Sequence, residues 1–177
     1  SFSTTVRTNE GSHSLSLNGS GGAVKASGVT GIDIGDADWS WGGWANWGAL
    51  PANAYMISFG TDTSGDAWQM YTNSTTGINL TLHTLETKTI SFTLVTGSWH
   101  WYWSEYTAST NTWELFVDNV SQGTAAFTNT ITYANAEIAI GEGLDASSRA
   151  TGYFDDWRIY NGVTTPGERT AIYAAGL

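Results

Sequence analysis

Short runs of alternating apolar and polar residues, separated by clusters of Gly, Ser, Thr, Asn and Asp, fill most of this chain. A period of two predicts β-strands, and the clusters between the runs predict turns. The predicted strands are 14–17, 23–25, 39–47, 55–59, 67–71, 78–84, 89–94, 99–106, 112–117, 137–140 and 153–160. Many short strands at this spacing indicate a sandwich or a barrel.

One helix start stands out near the end of the sequence. Thr165, Pro166 and Glu168 combine a capping threonine, a proline at the first helical position and a glutamate three residues after the cap. We therefore predict a short C-terminal helix that runs through Ile172 and Tyr173.

Composition narrows the class of protein. The 177 residues contain no internal repeat and only two prolines, so a single domain over 1–177 is predicted. The net charge is −10, which disfavours binding to nucleic acid or acidic lipid. No apolar run approaches the roughly 20 residues needed for membrane insertion.

Ten Trp, 21 Gly and abundant Thr and Ser are typical of strand-and-turn proteins that work outside cells, so an extracellular, secreted or virion-surface location is predicted.

Six segments resemble, in order, the motifs of one known family. They read S-H-S-L-S-L-N-G at 12–19, W-S-W-G-G-W-A at 39–45, S-W-H-W-Y at 98–102, W-E-L-F-V-D-N at 113–119, I-A-I-G at 138–141 and G-Y-F-D-D-W-R-I-Y-N at 152–161. The series is similar to the laminin-G-like branch of the concanavalin-A-like lectin and glucanase superfamily. The resemblance implies an all-β fold, a two-sheet antiparallel jelly-roll sandwich with a short C-terminal helix. It also implies, in many members, a calcium ion and a glycan or protein ligand.

Residue alternation sorts the aromatic side chains into two sets, because successive strand residues point to opposite faces. The set predicted to face the core is Trp39, Trp41, Ile57, Phe59, Trp68, Met70, Trp99, Trp101, Leu115 and Val117. The set predicted to face outward, and to bind ligand, is Trp44, Gln69, Tyr71, His100, Tyr102, Glu114 and Phe116. Flat rings beside hydrogen-bonding groups suit a sugar, which has an apolar C–H face and many hydroxyls.

Two alternatives remain open for these rings. They form a second small core if loops or the N-terminal segment cover them, since large aromatics are mostly packing residues. A binding site at the rim of the sandwich, around Trp113 and 61–66, is the other alternative.

Acidic residues give candidate calcium ligands, because this cation prefers several carboxylate and carbonyl oxygens. Asp155 is the main candidate, since alternation places it with Trp157 and Ile159, where a carboxylate needs a partner. Glu10 is predicted to complete that site, and Asp36 and Asp38 are further candidates. Carboxylates solvated in turns are the alternative, and Asp156 is expected to pair with Arg158.

One stretch of the sequence resembles a catalytic motif. Superfamily relatives that hydrolyse β-glucans carry E-x-D-x-x-E, and 137–142 keeps Glu137 and Glu142 but has Ala139 in place of the aspartate. A non-catalytic, lectin-like carbohydrate-binding module acting at a cell, matrix or virion surface is therefore the predicted function. The alternative is a structural or adhesive subunit that contacts a surface protein or self-associates through its aromatic face. A glycoside hydrolase is the third reading, which the missing aspartate disfavours.

Overall fold

The computed structural model describes residues 2–3, 13–20, 23–31, 35, 37–50, 53–61, 67–130, 136–144 and 148–176. Its strands are β1 (Phe2–Ser3), β2 (Ser14–Asn18), β3 (Val24–Val29), β4 (Trp39–Ala49), β5 (Tyr55–Gly60), β6 (Ala67–Thr72), β7 (Gly77–Leu82), β8 (Glu86–Ser91), β9 (Trp99–Thr107), β10 (Thr112–Val117), β11 (Val120–Ala126), β12 (Ala136–Ile140) and β13 (Thr151–Asn161). A 3₁₀ turn covers Ala108–Thr110, and helix α1 covers Pro166–Ala175.

The strands form two antiparallel sheets. One has seven strands in the order β1-β2-β13-β4-β9-β10-β11, and the other has six in the order β3-β12-β5-β6-β7-β8. Non-consecutive neighbours in both sheets create the crossovers of a jelly roll. The predicted two-sheet sandwich with a C-terminal helix is confirmed.

The core lies between the sheets and is filled by the inward residues of both. Trp39 and Trp41 of β4 meet Phe59 and Trp68 of the facing sheet, with ring centroids 5.3 Å apart for Trp39 and Trp68 and 6.2 Å apart for Trp41 and Phe59. All four side chains have no exposed surface. Burial of this apolar area drives the two sheets together.

Helix α1 begins as the sequence predicts. The Thr165 hydroxyl accepts a hydrogen bond from the Glu168 amide, and the Glu168 carboxylate accepts one from the Thr165 amide at 2.8 Å. This reciprocal pair satisfies backbone donors that have no partner within the helix. Within the described ranges, no helix has both the length and the apolar character that crossing a membrane requires.

Strand β11 is absent from the predicted set. Its sequence V-S-Q-G-T-A-A has little apolar alternation, and most of it is exposed or half-buried at the sheet edge. Its pairing with β10 instead follows from the Asp118-Asn119 turn, where both residues have positive φ (50° and 63°). A turn of this type matches the twist of a hairpin and brings the next segment alongside.

A bulge in β13 changes the faces predicted for its residues. Asp155 lies opposite Trp44 and Ile159 opposite Trp41, on different faces of the sheet, because Asp156 and Trp157 are inserted against the single residue Gly43. Alternation therefore fails across the insertion, and the prediction that Asp155 shares a face with Ile159 is wrong.

Candidate functional site

The outer face of the six-stranded sheet carries two rows of directly opposed residues. One row crosses all six strands and consists of Lys25, Ala139, Ser58, Gln69, Thr81 and Thr87. The second row crosses β5 to β8 and consists of Tyr55, Tyr71, Asn79 and Thr89. The residues that alternate with them, such as Met70 and Leu80, point into the core. The rows therefore place hydroxyls, amides and two phenol rings together on one side of the sheet.

Between these rows lies a cavity of about 310 Å³, here called the tyrosine pocket. Its lining includes Tyr55, Gln69, Tyr71, Thr81, His83 and Leu85. Gln69 and Thr81 form a sunken floor and are only 2% and 7% exposed. Tyr55 and Tyr71 form a half-buried wall, with their ring centroids 4.9 Å apart and their planes tilted by 43°. The pocket thus combines aromatic surface with a polar floor.

Hydrogen bonds fix the polar groups of the floor. The Nδ1 atom of His83 lies 3.0 Å from Oε1 of Gln69. With the amide in this orientation its oxygen accepts, so Nδ1 donates and the other nitrogen of a neutral imidazole is an acceptor. The Thr81 hydroxyl contacts the Thr87 hydroxyl at 2.8 Å and donates to the Glu86 carbonyl at 3.0 Å. These bonds hold the side chains in place before any ligand arrives.

Glu86, which also lines the pocket, is a structural anchor. Its carboxylate accepts hydrogen bonds from the backbone amides of Thr128 (2.8 Å) and Asn129 (2.9 Å) and pairs with Lys88 at 2.7 Å. Burial by itself would raise the pKa of Glu86, but the bonds from Lys88, Asn129 and Thr128 lower it to about 2. The carboxylate therefore ties β8 to the segment that follows β11.

The predicted ligand residues divide among several parts of the molecule. Gln69 and Tyr71 lie in the tyrosine pocket. Trp44 and Phe116 lie on the outer face of the other sheet, as alternation predicts, but they are only 5% and 4% exposed because helix α1 covers them. The predicted band of exposed rings is therefore wrong.

The covered rings form an outer aromatic cluster, defined by Trp44, Trp101, Trp103 and Phe116 and flanked by Trp99, Ile172 and Tyr173. Trp101 and Trp103 stack with centroids 5.0 Å apart, and Trp44 stacks on Tyr173 of the helix at 5.6 Å. The rings thus form a second small core, as one alternative proposed, but helix α1 covers them in place of the loops or N-terminal segment that the alternative named.

Arg169 fastens the helix over this cluster. Its guanidinium lies 3.7 Å from the centroid of the Phe116 ring and donates to the buried carboxylate of Glu105 at 3.1 Å. Glu105 also accepts hydrogen bonds from the Trp103 indole (3.1 Å) and the Thr164 hydroxyl. A buried charge with three partners makes the helix contact specific as well as apolar.

Tyr102 lies in the central core, whereas Trp101 lies in the outer aromatic cluster, so the two faces predicted for β9 are exchanged. Both sets of alternating residues in β9 contain aromatic side chains, so alternation alone does not decide which set faces the core. The partner strand decides, because Trp101 is opposite Trp44 and Tyr102 is opposite Gly43. Burial raises the pKa of the Tyr102 hydroxyl.

The remaining two predicted ligand residues lie outside the tyrosine pocket. His100 Nδ1 lies 2.7 Å from the Asp118 carboxylate, at a cavity of about 330 Å³ at the edge of the sandwich. Glu114 is half-buried and accepts a hydrogen bond from the Ser121 hydroxyl at 2.6 Å. Trp113, a candidate for a rim site, is fully buried in the central core.

The candidate calcium ligands do not converge within the described residues. Asp155 is opposite Trp44, while Asp38 precedes Trp39 at the other end of β4, which puts the two roughly 20 Å apart along the strand. Asp38 accepts a hydrogen bond from the Ala108 amide at 2.8 Å, and Asp155 accepts one from the Asp156 amide at 2.9 Å. The described part of the chain contains no cluster of three or more metal-binding side chains. Glu10 and Asp36 lie outside the described residues, so a calcium site formed with them stays a prediction.

The stretch that resembles a catalytic motif is occupied by an ion-pair cluster. The Lys25 ammonium contacts Glu142 at 2.6 Å and Glu137 at 3.3 Å, and Arg149 contacts Glu142 from the other side. Burial would raise the pKa of Glu142, but the hydrogen bonds from Lys25 and Arg149 lower it below the ordinary value. Asp156, as predicted, pairs with Arg158, at 2.7 Å.

Tyr55 and His83 are pocket residues that the sequence did not indicate. Alternation groups Tyr55 with the inward residues Ile57 and Phe59, but an irregularity between Tyr55 and Ile57 turns Tyr55 outward. His83 is the first residue after β7, so the strand itself does not fix the direction of its side chain. The one indication in the sequence is that His83 lies two residues after Thr81, which is the spacing of side chains on the same face of a strand.

Comparisons with known proteins agree with the fold. A family model of the laminin-G type, described as the concanavalin A-like lectin/glucanases superfamily, matches residues 18–168. This match covers most of the chain, which therefore belongs to that superfamily. A search of curated protein sequences gave no match.

Several solved structures share the architecture at low sequence identity. Domain 4 of AbnA, an extracellular GH43 arabinanase from Geobacillus stearothermophilus in complex with arabinotriose, has a TM-score of 0.77 and 16% identity over 98% of this chain and 81% of that one. The CBM40 of Ruminococcus gnavus IT-sialidase bound to α2,3-sialyllactose has a TM-score of 0.65 and 12% identity over 88% and 96%. A heptameric SAP-like pentraxin from Limulus polyphemus has a TM-score of 0.60 and 14% identity over 84% and 81%. At these identities the likeness concerns the fold.

Proposed function

We propose that this chain is a non-catalytic carbohydrate-binding module whose sugar site is the tyrosine pocket. The observation that carries the proposal is the pairing of a half-buried aromatic wall, Tyr55 and Tyr71, with a preorganised polar floor, Gln69, Thr81 and His83. Pyranose and furanose rings offer an apolar face to the wall and hydroxyls to the floor. Two similar folds hold sugars, which supports the class of ligand.

The proposal includes the absence of glycosidase chemistry. A retaining glycosidase needs one carboxylic acid with a raised pKa close to an ionised carboxylate. Glu142 has the opposite property, since two cations lower its pKa. Lys25 bridges Glu142 and Glu137, so a cation contacts both carboxylates of the motif, and it favours the ionised form of Glu142 where a general acid must be protonated. An extracellular location is part of the same proposal, supported by the extracellular arabinanase that shares the fold.

An adhesive subunit that uses exposed rings has less support. Three of the rings on which that alternative depends are covered, since Trp44 and Phe116 lie beneath α1 and Tyr102 lies in the core. The exposed large apolar side chains of the described part are aliphatic apart from Tyr160. They are also dispersed over both sheets. The oligomeric state in solution remains the test of this alternative, and a stable oligomer that buries the tyrosine pocket would favour it.

A glycan screen followed by titration tests the proposed function. Wild type is expected to bind at least one oligosaccharide saturably, and Tyr71→Ala is expected to weaken that binding about tenfold or more while the fold survives. Tyr160→Ala is the matched control, because Tyr160 is a 38% exposed tyrosine on the other sheet. Running each titration with added calcium and with a chelator also tests the predicted role of Asp155. A screen without any binder, or equal losses in the two variants, would refute the proposal.

A further inference from the structure

We infer that the tyrosine pocket selects uncharged oligosaccharides and discriminates against glycans that carry carboxylate or sulfate groups; this inference rests on the proposed function. The first observation is the chemistry of the outward residues on β5 to β8. They include Tyr55, Ser58, Gln69, Tyr71, Asn79, Thr81, Thr87 and Thr89, which supply hydroxyl and amide groups and no formal charge. The carboxylate that lines the pocket, that of Glu86, is bound to Lys88 and to the amides of Thr128 and Asn129, and it adds a negative charge at this site.

The second observation concerns every cation in the described part of the chain. Each lysine and arginine there is already bound to a carboxylate: Lys25 to Glu142 and Glu137, Lys88 to Glu86, Arg149 to Glu142, Arg158 to Asp156 and Arg169 to Glu105. The sixth basic residue, Arg7, lies outside the described residues. An incoming anion would have to compete with a protein carboxylate for any of the five.

The two lysines of the chain, Lys25 and Lys88, illustrate this competition. Lys25 ends the first row, where Glu142 holds its ammonium at 2.6 Å. Lys88 lies opposite Leu80, a core residue, so its side chain leaves β8 on the face that points towards the core. Its ammonium is 6.0 Å from the centroid of the Phe127 ring. Neither ammonium is therefore presented to the pocket as a spare charge.

Desolvation gives this arrangement its selectivity. A sugar carboxylate entering the pocket would leave water without gaining a counterion, and such a transfer is strongly unfavourable. Sugar hydroxyls exchange hydrogen bonds with water for bonds with Gln69, Thr81 and His83, which costs far less. The net charge of −10 adds a longer-range repulsion of polyanions.

Matched pairs of glycans that differ only in charge test the inference. Suitable pairs are sialylated oligosaccharides with free and amidated carboxyls, and homogalacturonan oligomers with free and methyl-esterified carboxyls, titrated at about pH 8, above the ordinary range of imidazole. The expected result is that binders come from the uncharged members, and that each charged counterpart binds at least tenfold more weakly. A charged member that binds as tightly as its uncharged partner, through Tyr71, would overturn the inference and leave the proposed function intact.

A charge added at the rim provides the second measurement. Leu85→Lys replaces a 48% exposed leucine of the pocket lining with a cation and should narrow the gap between charged and uncharged members at least threefold. Val120→Lys is the matched control, with the same change of charge at a 62% exposed valine of the other sheet, and should leave the gap unchanged. Equal effects of the two variants would overturn the inference. A screen in which no glycan binds, or binding that Tyr71→Ala leaves unchanged, would refute the proposed function itself.

Discussion

The outer faces of the two sheets have opposite characters although both contain aromatic rings. On the seven-stranded sheet, Trp44, Trp101 and Trp103 are closed beneath α1 and are at most 5% exposed. On the six-stranded sheet, Tyr55 and Tyr71 remain half-exposed above a polar floor. A high number of aromatic residues on a strand therefore does not by itself indicate a binding face. A ring is available to a ligand where no element covers it and where its neighbours are polar.

The largest expected effect concerns the closed face. Trp103→Ala should lower the free energy of unfolding by about 3 to 5 kcal/mol, because it leaves a cavity against Trp101 and removes the indole bond to Glu105. Denaturant titration followed by fluorescence measures the loss. The glycan affinity of the protein that remains folded should match that of wild type. A loss of affinity in this folded fraction would show that the closed face takes part in binding.

The ion pair that holds the helix gives the next effect. Arg169→Ala should destabilise the protein by about 3 kcal/mol, since it leaves the Glu105 carboxylate buried without its cation. Arg158→Ala, at a more exposed pair with Asp156, should cost about 1 kcal/mol or less and serves as the control. Equal costs for the two arginines would contradict the special role of the helix contact.

The stability of the protein in acid depends on Glu86, which lines the open face. The folded pKa of Glu86, about 2, is below its ordinary value of 4.5, so the unfolded chain binds the proton more readily. The stabilisation is therefore fully present above about pH 4.5 and is lost as the pH falls towards 2. The stability difference between wild type and Glu86→Gln should shrink across that window. A difference that stays constant from pH 6 to about pH 2 would refute this assignment.

The smallest effect is expected for Glu114, a predicted ligand residue on the seven-stranded sheet. Glu114→Gln keeps an acceptor for the Ser121 hydroxyl and changes a half-buried group, so stability should change by about 0.5 kcal/mol or less. Glycan affinity should not change, because Glu114 lies outside the tyrosine pocket. A tenfold loss of affinity would move the site to the seven-stranded sheet.

Sequence patterns predicted most of the strands and the helix start because strand alternation, turn chemistry and capping are local, whereas the two-sheet jelly roll was implied by the resemblance of six segments to a known family. The capping box at Thr165 and the strand Thr112–Val117 are found where the pattern places them. The site was only partly predictable. Gln69 and Tyr71 were correctly placed on an outward face, but alternation does not reveal that they lie on a different sheet from Trp44. The burial of Trp44 depends on a helix more than 100 residues later in the chain, and the exposure of Tyr55 depends on a bulge, so neither follows from local spacing.

A chemical-shift map of the isotopically labelled protein, titrated with the tightest uncharged oligosaccharide from the screen, identifies which outer face binds the ligand. We expect the largest shifts on the backbone amides of Gln69, Tyr71 and His83, while the indole signals of Trp44 and Trp103 stay unchanged. Large shifts at those indoles, with none around Tyr71, would show that the ligand binds the helix-covered face and would refute a binding site in the tyrosine pocket.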